Sequence, residues 1–413
     1  MQAVRQFNQS VHGVGTLLHK LNDPRYHWVT RPLAAFLITR AIVFFAAYIA
    51  EIAIPGISGD GLYHVNPSNV WLDVWARWDS GFYLRIAEEG YRFVIGQQSS
   101  VAFFPVYPLS MNLLAPFAGS NLAAGVLVSN VYLFFGLIFL YRLTETIFKD
   151  SGTATRAVFY IAAFPTAFFF SAVYTESTFL LFSTATAYFA RKHQWGWAAV
   201  TGILCSASRI VGFLVAGLVI YEWLMAHGWT LATIYKKQAW LNLWDGIRKD
   251  WPQLLIIALI PLGMVSYMVF LWRTFGDPLA FNTTQSAWGR QMLGPVAIVL
   301  RDLGGLLRQN FLTGEIWYHV LLDLGAFFAV LFTTWAIWRR MGAGYGIYVL
   351  LAILIPMSSG SGSLTRYVLV IFPFFMMLAH WGRHTVLDRA LLVGFSVFLG
   401  IFTTIFVNWI FIG

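Results

Sequence analysis

Apolar residues in this chain fall in long runs that are separated by short polar segments. A helix needs roughly twenty apolar residues to cross a lipid bilayer, and somewhat fewer where it is packed inside protein. By that measure the pattern predicts about eleven transmembrane helices and an all-α polytopic fold. The candidate spans are Pro32–Ile54, Leu122–Phe148, Ala157–Val173, Ser177–Ala190, Trp195–Ser208, Ile210–Leu224, Pro252–Trp272, Ile316–Trp338, Tyr345–Pro356, Val368–His380 and Ala390–Phe411.

The composition agrees with a membrane location. Of the 413 residues, 58% are hydrophobic and 11% are charged, which is too little polar surface to coat a water-soluble protein of this size. The net charge of +9 comes mainly from short basic clusters between apolar runs, so it does not indicate nucleic-acid binding. The single cysteine, Cys205, excludes intrachain disulfides and cysteine-rich metal sites.

The basic clusters predict an orientation, because cytoplasmic loops carry an excess of lysine and arginine. With a cytoplasmic N-terminus, alternating spans place the clusters inside if Trp195–Leu224 is two short helices that meet near Ser208 and Arg209. The external side then receives five segments, which are Pro55–Asn121, the turn around Tyr174, the turn at Arg209, Gly276–Glu315 and Ser358–Arg366.

These segments divide the chain into three parts. Residues 1–31 lack the apolar core of a signal peptide and are interpreted as a cytoplasmic or interfacial leader. Residues 32–272 form a membrane module that includes the external loop 55–121, and residues 273–413 form the C-terminal membrane helices. An interfacial helix is predicted near 291–311, where apolar residues recur at helical spacing, namely Val296, Val299, Leu300, Leu303 and Leu307.

The strongest candidate for chemistry is the segment Val70–Tyr91 in the first external loop. Trp71, Trp75, Trp78, Phe82 and Ile86 would form one apolar stripe on a helix, with Asp79 and Tyr83 on a neighbouring face. A carboxylate flanked by Arg77 and Trp78 is suited to take a proton from an attacking hydroxyl group. The alternative is an amphipathic lid whose Asp73, Asp79, Glu88 and Glu89 are ordinary surface charges.

Prolines mark the segment that follows. Phe103–Pro116 is apolar, but Pro105, Pro108 and Pro116 oppose a long helix. A crossing here would also invert every later basic cluster. We therefore expect a re-entrant or interfacial segment.

Three further external positions carry charge. In the turn Phe164–Ser177, Thr175 is placed to cap the next helix and Glu176 to occupy its first turn, although a charge at this depth also calls for a partner. Arg209 and Arg366 lie outside against the positive-inside trend, and guanidinium groups bind phosphate with two parallel hydrogen bonds. Pairing of these arginines with Glu176 or with loop carbonyls is the alternative.

Six ordered segments resemble a known family. RWDSGFYLRIAEEGY, AFFPVYPLS, AFPTAFFFSAVYTESTFLLFS, SASRIVGFL, GDPLAFNTTQSAWGR and LTRYVLVIFPFF are similar to motifs of the GPI mannosyltransferase 2 (PIG-V) family and its prokaryotic relatives. The resemblance implies a GT-C glycosyltransferase fold, with 32–272 as its catalytic module, a dolichyl- or polyprenyl-phosphate mannose donor, inversion at the anomeric carbon and Asp79 as the catalytic aspartate. Ile210 departs from the pattern, where a proline is expected, and the short external loops favour a prokaryotic homologue.

These observations combine into one hypothesis. The chain is expected to be a GT-C mannosyltransferase that moves a sugar from a lipid phosphate to a hydroxyl of a lipid or glycan acceptor on the external face. No Walker loop, HExxH or GxSxG motif is present, and no cofactor or metal is expected. Asp79 is predicted to be catalytic, and the predicted substrate-binding residues are Arg77, Trp78, Tyr83, Glu88, Tyr174, Thr175, Glu176, Arg209, Gln285 and Arg366.

Several points stay open from the sequence. A transporter or flippase of a lipid-linked sugar is the alternative function, and a purely structural membrane subunit is a third. The location is the cell membrane for a prokaryotic protein and the endoplasmic reticulum membrane for a eukaryotic one. The acceptor and any partner subunit are not specified.

Overall fold

The computed structural model describes residues 23–54, 64–308 and 317–412, and the regular elements in these residues are helices. Parts of the predicted leader (1–22), of the first external loop (55–63), of the interfacial segment (309–311) and residue 316 therefore lie outside the described residues. The main helices are α1 (His27–Ala53), α2 (Ser80–Glu89), α3 (Val106–Ala118), α4 (Asn121–Phe148), α5 (Ser151–Ala163), α6 (Glu176–Arg191), α7 (Trp195–Ser206), α8 (Leu214–Ala226), α9 (Lys237–Ala258), α10 (Leu262–Phe275), α11 (Pro295–Arg308), α12 (Trp317–Met341), α13 (Ala343–Met357), α14 (Phe372–Trp381) and α15 (Thr385–Val407).

Four helices in the described residues are long and apolar enough to cross a membrane, and they belong to α1, α4, α12 and α15. A fifth span is obtained if α9 and α10, which meet at a bend of 42°, are counted together. Shorter apolar helices include α7, α8, α13 and α14. The chain is an integral, all-helical membrane protein, as predicted, and the number of about eleven spans stays a prediction.

Prolines correct three of the predicted spans. Ala157–Val173 is not one helix, because Pro165 holds Phe164 extended and α5 already ends at Ala163. Pro252–Trp272 is divided between α9 and α10, since Pro261 begins a new helix. Val368–His380 is likewise divided into the short helix Leu364–Leu369 and α14, which has a proline in its first turn.

The predicted break near Ser208 and Arg209 is confirmed. Helix α7 ends at Ser206, and a 3₁₀ turn over Ile210–Phe213 leads into α8. Gly212 makes this turn possible, because a Cβ atom there would lie 2.0 Å from the carbonyl oxygen of Cys205. The break places Arg209 between two helices that pack on α6.

The first external loop differs from its prediction. Val70–Tyr91 is not one helix, since a four-residue helix (Val70–Asp73) is followed by a bend and then by α2. Trp78 causes the bend by adopting a left-handed backbone with φ of 54°. The predicted stripe is therefore divided, and Trp75 is fully buried while Trp71 is 63% exposed. Gly90 ends α2 with φ of 86°.

Two other elements, in segments predicted to be external, follow the sequence pattern. Helix α3 has 13 residues, which correspond to about 20 Å and cannot cross a bilayer. Helix α11 exposes most of its predicted apolar stripe, in which Leu300 is 65% and Leu307 is 86% exposed. The location of α11 along the membrane surface stays a prediction.

The core of the protein lies around α4 and α6. Helix α6 packs between α4 and α7, and α3 lies against α4. At the other end of the chain, α15 returns to pack on α1, and α12 and α13 pack against the short helix Leu364–Leu369. This arrangement brings Arg366, from the last third of the chain, towards the first external loop.

Candidate active site

Four segments that are far apart in the sequence contribute most of the lining of a cavity of about 1360 Å³. They are the first external loop, the break between α7 and α8, residues 281–292, and the chain from Ser359 to Ile371. Eight of the predicted site residues line it, namely Trp78, Asp79, Tyr83, Glu88, Thr175, Arg209, Gln285 and Arg366. The structure thus brings together the external segments that the sequence pattern singled out.

Four charged side chains form a chain at this cavity, in which Asp79, Arg209 and Arg366 line the wall and Glu176 lies behind it. Arg366 Nη1 donates to Asp79 Oδ2 at 2.8 Å, and Arg366 Nε donates to Glu176 Oε1 at 2.5 Å. Arg209 Nη1 reaches the same oxygen of Glu176 at 2.9 Å. The Glu176 side chain is fully buried, whereas Asp79 keeps 27% of its side-chain surface exposed. Charges buried in a low-dielectric interior are costly unless they are paired, and each of these four side chains contacts one of opposite charge.

The conformation of the neighbouring backbone sets the position of Asp79. Tyr174 donates its O–H to the carbonyl oxygen of Arg77 at 3.0 Å and accepts the N–H of Asp79 at 3.2 Å. Between these two residues lies Trp78, whose left-handed conformation costs on the order of 1–3 kcal/mol for a residue other than glycine. Arg366 lies over the Tyr174 ring at 4.6 Å. Tyr174 therefore stabilises the strained turn that presents Asp79 to the cavity.

Arg77 lies behind the cavity wall and is fully buried. Its guanidinium group donates to the carboxylate of Asp73 at 2.8 Å and to the carbonyl oxygen of Val407 at 3.0 Å. Burial raises the pKa of Asp73, but hydrogen bonds from the Asn66 N–H, Arg77 and His64 lower it by a larger amount. The pKa of Asp73 is therefore below its ordinary value. The geometry gives Arg77 an anchoring contact with α15 instead of the predicted substrate contact.

Glu176 begins α6 in its first turn, as predicted, and its partners are the two arginines. Thr175 makes no side-chain capping hydrogen bond, so the predicted cap is not formed. Its hydroxyl group instead lies 3.3 Å from that of Tyr83. The alternative of a charged partner for Glu176 is thus the correct one, and neither Glu176 nor Tyr174 lines the cavity itself.

The other predicted residues lie at the cavity's edges. Tyr83 is buried on α2, and burial raises the pKa of its hydroxyl group. Glu88 is exposed near the end of α2. Gln285 donates its side-chain N–H to the carbonyl oxygen of Phe281 at 3.1 Å, which fixes the amide in the wall. Their contact with substrate stays a prediction.

Two functional candidates were missed by the sequence reasoning. Arg290 Nη2 donates to the hydroxyl group of Tyr367 at 2.8 Å, and both residues line the cavity. The signal was available, because Arg290 ends the motif GDPLAFNTTQSAWGR and is a further cation on the predicted external side. Tyr367 follows Arg366 directly and offered no separate signal.

Aromatic side chains cover the wall next to α2. The rings of Phe82 and Phe103 stack with centroids 4.7 Å apart, and Trp288 lies 6.1 Å from Phe103. Apolar and aromatic faces beside a few charged groups are typical of a ligand cavity. Within the described ranges there is no group of three or more His, Cys, Asp and Glu side chains arranged to hold a metal ion.

The chain is similar in structure to two solved membrane proteins. ArnT from Cupriavidus metallidurans, bound to undecaprenyl phosphate, aligns with a TM-score of 0.49 and 12% identity over 91% of this chain and 76% of that one. The archaeal oligosaccharyltransferase AglB from Archaeoglobus fulgidus, in complex with an inhibitory peptide and a dolichol-phosphate, aligns with a TM-score of 0.43 and 14% identity over 92% of this chain and 56% of that one.

Sequence comparison gives the family. The GPI mannosyltransferase 2 of Drosophila pseudoobscura pseudoobscura is 26% identical over 218 residues, which are 49% of this chain and 44% of that protein. The match thus spans less than half the length of the curated relative. The family profile described as Mannosyltransferase (PIG-V) matches residues 64–278, which include Asp79, Glu176 and Arg209. Because this match covers more than half of the chain, the protein belongs to the PIG-V mannosyltransferase family.

Proposed function

We propose that this protein transfers a mannosyl group from a dolichyl- or polyprenyl-phosphate donor to a hydroxyl group of a lipid or glycan acceptor, with inversion. Membership of the mannosyltransferase family supports the reaction class. The observation that carries the proposal is the cavity-wall cluster of Asp79, Arg366, Glu176 and Arg209, which sets a carboxylate beside two cations. Such a pair fits a reaction that removes a proton on one side and releases a phosphate on the other.

Asp79 is the proposed general base. Arg366 engages its Oδ2 atom, which leaves Oδ1 to accept the proton of the acceptor hydroxyl group. The hydroxyl oxygen forms a bond to the anomeric carbon as the bond from that carbon to the phosphate oxygen breaks. The departing phosphate keeps the bonding electron pair, and a single displacement inverts the anomeric configuration. A positioned base of this kind contributes roughly 10²- to 10⁴-fold to a rate.

Arg209 and Arg366 would stabilise the negative charge on the leaving phosphate. Glu176 occupies one N–H of each guanidinium group and so fixes the orientation of both before any ligand arrives. Preorganised cations are effective in catalysis because they need no rearrangement as the charge develops. These two arginines offer oriented N–H groups to the leaving phosphate, and the proposed reaction uses no metal ion.

The remaining cavity wall suits a sugar on a long lipid. Trp78, Tyr83 and Gln285 would contact the mannosyl group, and Tyr174 would support them from behind. Ile355 and Pro356 of α13 give the cavity an apolar edge. The segment Phe103–Pro116 and α11 are proposed to line the entry of the lipid tail from the outer leaflet.

The site is proposed to face outwards, with the N-terminus in the cytoplasm. It would act at the external face of the cell membrane in a prokaryote and at the lumenal face of the endoplasmic reticulum in a eukaryote. The donor would therefore approach through the leaflet next to the cavity, without a nucleotide sugar.

The test is release of lipid phosphate from labelled dolichyl-phosphate mannose by the purified protein in detergent, with membrane lipid extract as the source of acceptor. Asp79→Asn should lower turnover by about 10²-fold or more, because the amide cannot accept the proton. Asp245→Asn is the matched control, since Asp245 is exposed on α9 away from the cavity. Wild-type turnover by Asp79→Asn would place the base elsewhere.

The same assay separates the enzyme from a carrier. A transferase releases free lipid phosphate, whereas a flippase moves its lipid unchanged across the bilayer. Movement of intact dolichyl-phosphate mannose between the leaflets of a proteoliposome, without lipid phosphate release in the presence of acceptor, would support the transporter alternative.

A further inference from the structure

The arginines of the cavity differ in how their charge is balanced. Arg366 and Arg209 share Glu176, and Arg366 also holds Asp79, so two cations face two carboxylates. Arg290 has no carboxylate within ion-pairing distance among the residues that the structure describes. Its partner is the neutral hydroxyl group of Tyr367. Arg290 therefore contributes an unbalanced positive charge to the cavity wall.

Arg290 is held firmly at this position. The N–H of Gln291 donates to the carbonyl oxygen of Ser359 at 3.2 Å, and the N–H groups of Leu293 and Gly294 donate to that of Ser358 at 3.1 and 3.0 Å. The preceding Gly289 turns the chain with φ of 69°. These contacts tie the Arg290 loop to the end of α13, next to the helix that carries Arg366.

Tyr367 links Arg290 to the charged cluster. The guanidinium groups of Arg209 and Arg290 lie 5.3 and 5.8 Å from the centre of its ring. Burial raises the pKa of Tyr367, but the neighbouring Arg290, Arg366 and Arg209 lower it by a larger amount. The pKa of Tyr367 is therefore below its ordinary value. The region around this hydroxyl group is therefore electropositive even with Asp79 and Glu176 in place.

A half-buried cation without a counterion is costly unless a ligand supplies the opposite charge. Arg85 also lines the cavity without a carboxylate, but it is exposed to water, which screens its charge. At Arg290 a bound anion would supply the missing counterion. Tyr367 accepts from Arg290 and so keeps its own O–H to donate to the same anion.

We propose that Arg290 and Tyr367 form the binding site for the phosphate group of the lipid donor. The inference rests on the proposed function and adds to it, because Arg209 and Arg366 are already neutralised by carboxylates in the cluster. The phosphate would bring the compensating charge to Arg290 and be held within reach of Arg209. On transfer, the same contacts would stabilise the lipid phosphate as it leaves.

The test measures binding of dolichyl phosphate to the purified full-length protein, with uncharged dolichol as the reference ligand. Arg290→Gln should weaken binding of dolichyl phosphate by roughly 10-fold or more, because a charge-assisted hydrogen bond is lost, and should leave dolichol binding unchanged. Arg290→Lys keeps the charge and should recover part of the affinity. Arg92→Gln is the matched control, since Arg92 is an exposed arginine of the first external loop that does not line the cavity.

The outcomes separate this inference from the proposed function. Equal affinity of wild type and Arg290→Gln for dolichyl phosphate would overturn the inference, even if the wild type transfers mannose. Normal phosphate binding that depends on Arg290, without any mannose transfer by the wild type, would support the inference and overturn the proposed reaction. An equal loss of dolichol binding in Arg290→Gln would show that the residue only supports the fold and would also overturn the inference.

Discussion

Arg366 is the side chain on which the site converges. It contacts two carboxylates and lies over two aromatic rings, those of Tyr174 and Phe169, at 4.6 and 5.2 Å. A guanidinium group whose N–H groups are bound by carboxylates and whose face is covered by aromatic rings has little freedom to rotate. Its charge is therefore oriented by the fold before a ligand arrives, which is the condition for electrostatic stabilisation of a developing charge.

Glu176 should be more important for stability than for contact with substrate. Glu176→Gln would leave Arg209 and Arg366 without their shared carboxylate in a buried position, and such losses cost about 3–5 kcal/mol. We expect a lower temperature of thermal unfolding, together with loss of transfer. Glu89→Gln, an exposed change at the end of α2, should alter stability by about 0.5 kcal/mol or less. An unchanged unfolding temperature in Glu176→Gln would show that the two arginines find other partners.

At the scale of elements, the site depends on helices that break at fixed places. Helix α5 ends inside the protein, and its free carbonyl groups need partners. Arg40 of α1 supplies one partner, because it donates to the carbonyl oxygen of Ala162 at 3.0 Å. It also donates to the carbonyl oxygen of Ala167 at 3.0 Å and to Ser171 Oγ at 2.9 Å in the turn that follows α5. This buried arginine allows the turn that carries Tyr174 and Glu176 to leave the helical path.

The break between α7 and α8 should fail if its glycine is replaced. A Cβ atom at Gly212 would meet backbone atoms of Cys205, so Gly212→Ala should displace the turn after Arg209 and destabilise the protein by about 1–3 kcal/mol. The measurements are thermal unfolding and mannose transfer. Gly217→Ala, on the neighbouring α8 with no atom within 4 Å of the new Cβ, should leave stability equal or slightly higher. Equal behaviour of the two variants would contradict a steric role for Gly212.

At the scale of the whole molecule, charge is separated along the chain. The loops that carry most lysines and arginines are those expected in the cytoplasm, while the cavity is built from the opposite set of loops. This separation suits a site that receives its lipid donor from the outer leaflet. It also makes the orientation testable without any knowledge of the reaction.

Cysteine labelling should report the two sides. In a Cys205→Ala background, Gln98→Cys at the cavity edge should react with a membrane-impermeant maleimide added to intact spheroplasts. Lys192→Cys, in the exposed turn between α6 and α7, should react only after the membrane is permeabilised. We expect about tenfold stronger labelling of the first position before permeabilisation, as an order-of-magnitude contrast. Labelling of Lys192→Cys alone before permeabilisation would show that the orientation is opposite to the predicted one.

Features that depend on local pattern could be predicted from the sequence. Apolar runs identified the long helices α1, α4, α12 and α15, because the length of a membrane span is set by the bilayer. The positive-inside rule required the break near Arg209, which the structure shows. The external segments with charged residues identified Asp79, Arg209 and Arg366 as members of one site.

The pairing of those residues depends on long-range packing. Arg366 and Asp79 are separated by 287 positions in the chain, and no local pattern specifies that they meet. The left-handed turn at Trp78 is likewise imposed by Tyr174, which binds the backbone on both sides of it. The difference between Arg290, which lacks a carboxylate partner, and Arg209 and Arg366, which have one, is also a property of the fold, because the charge of a site is a sum over segments that only the fold brings together.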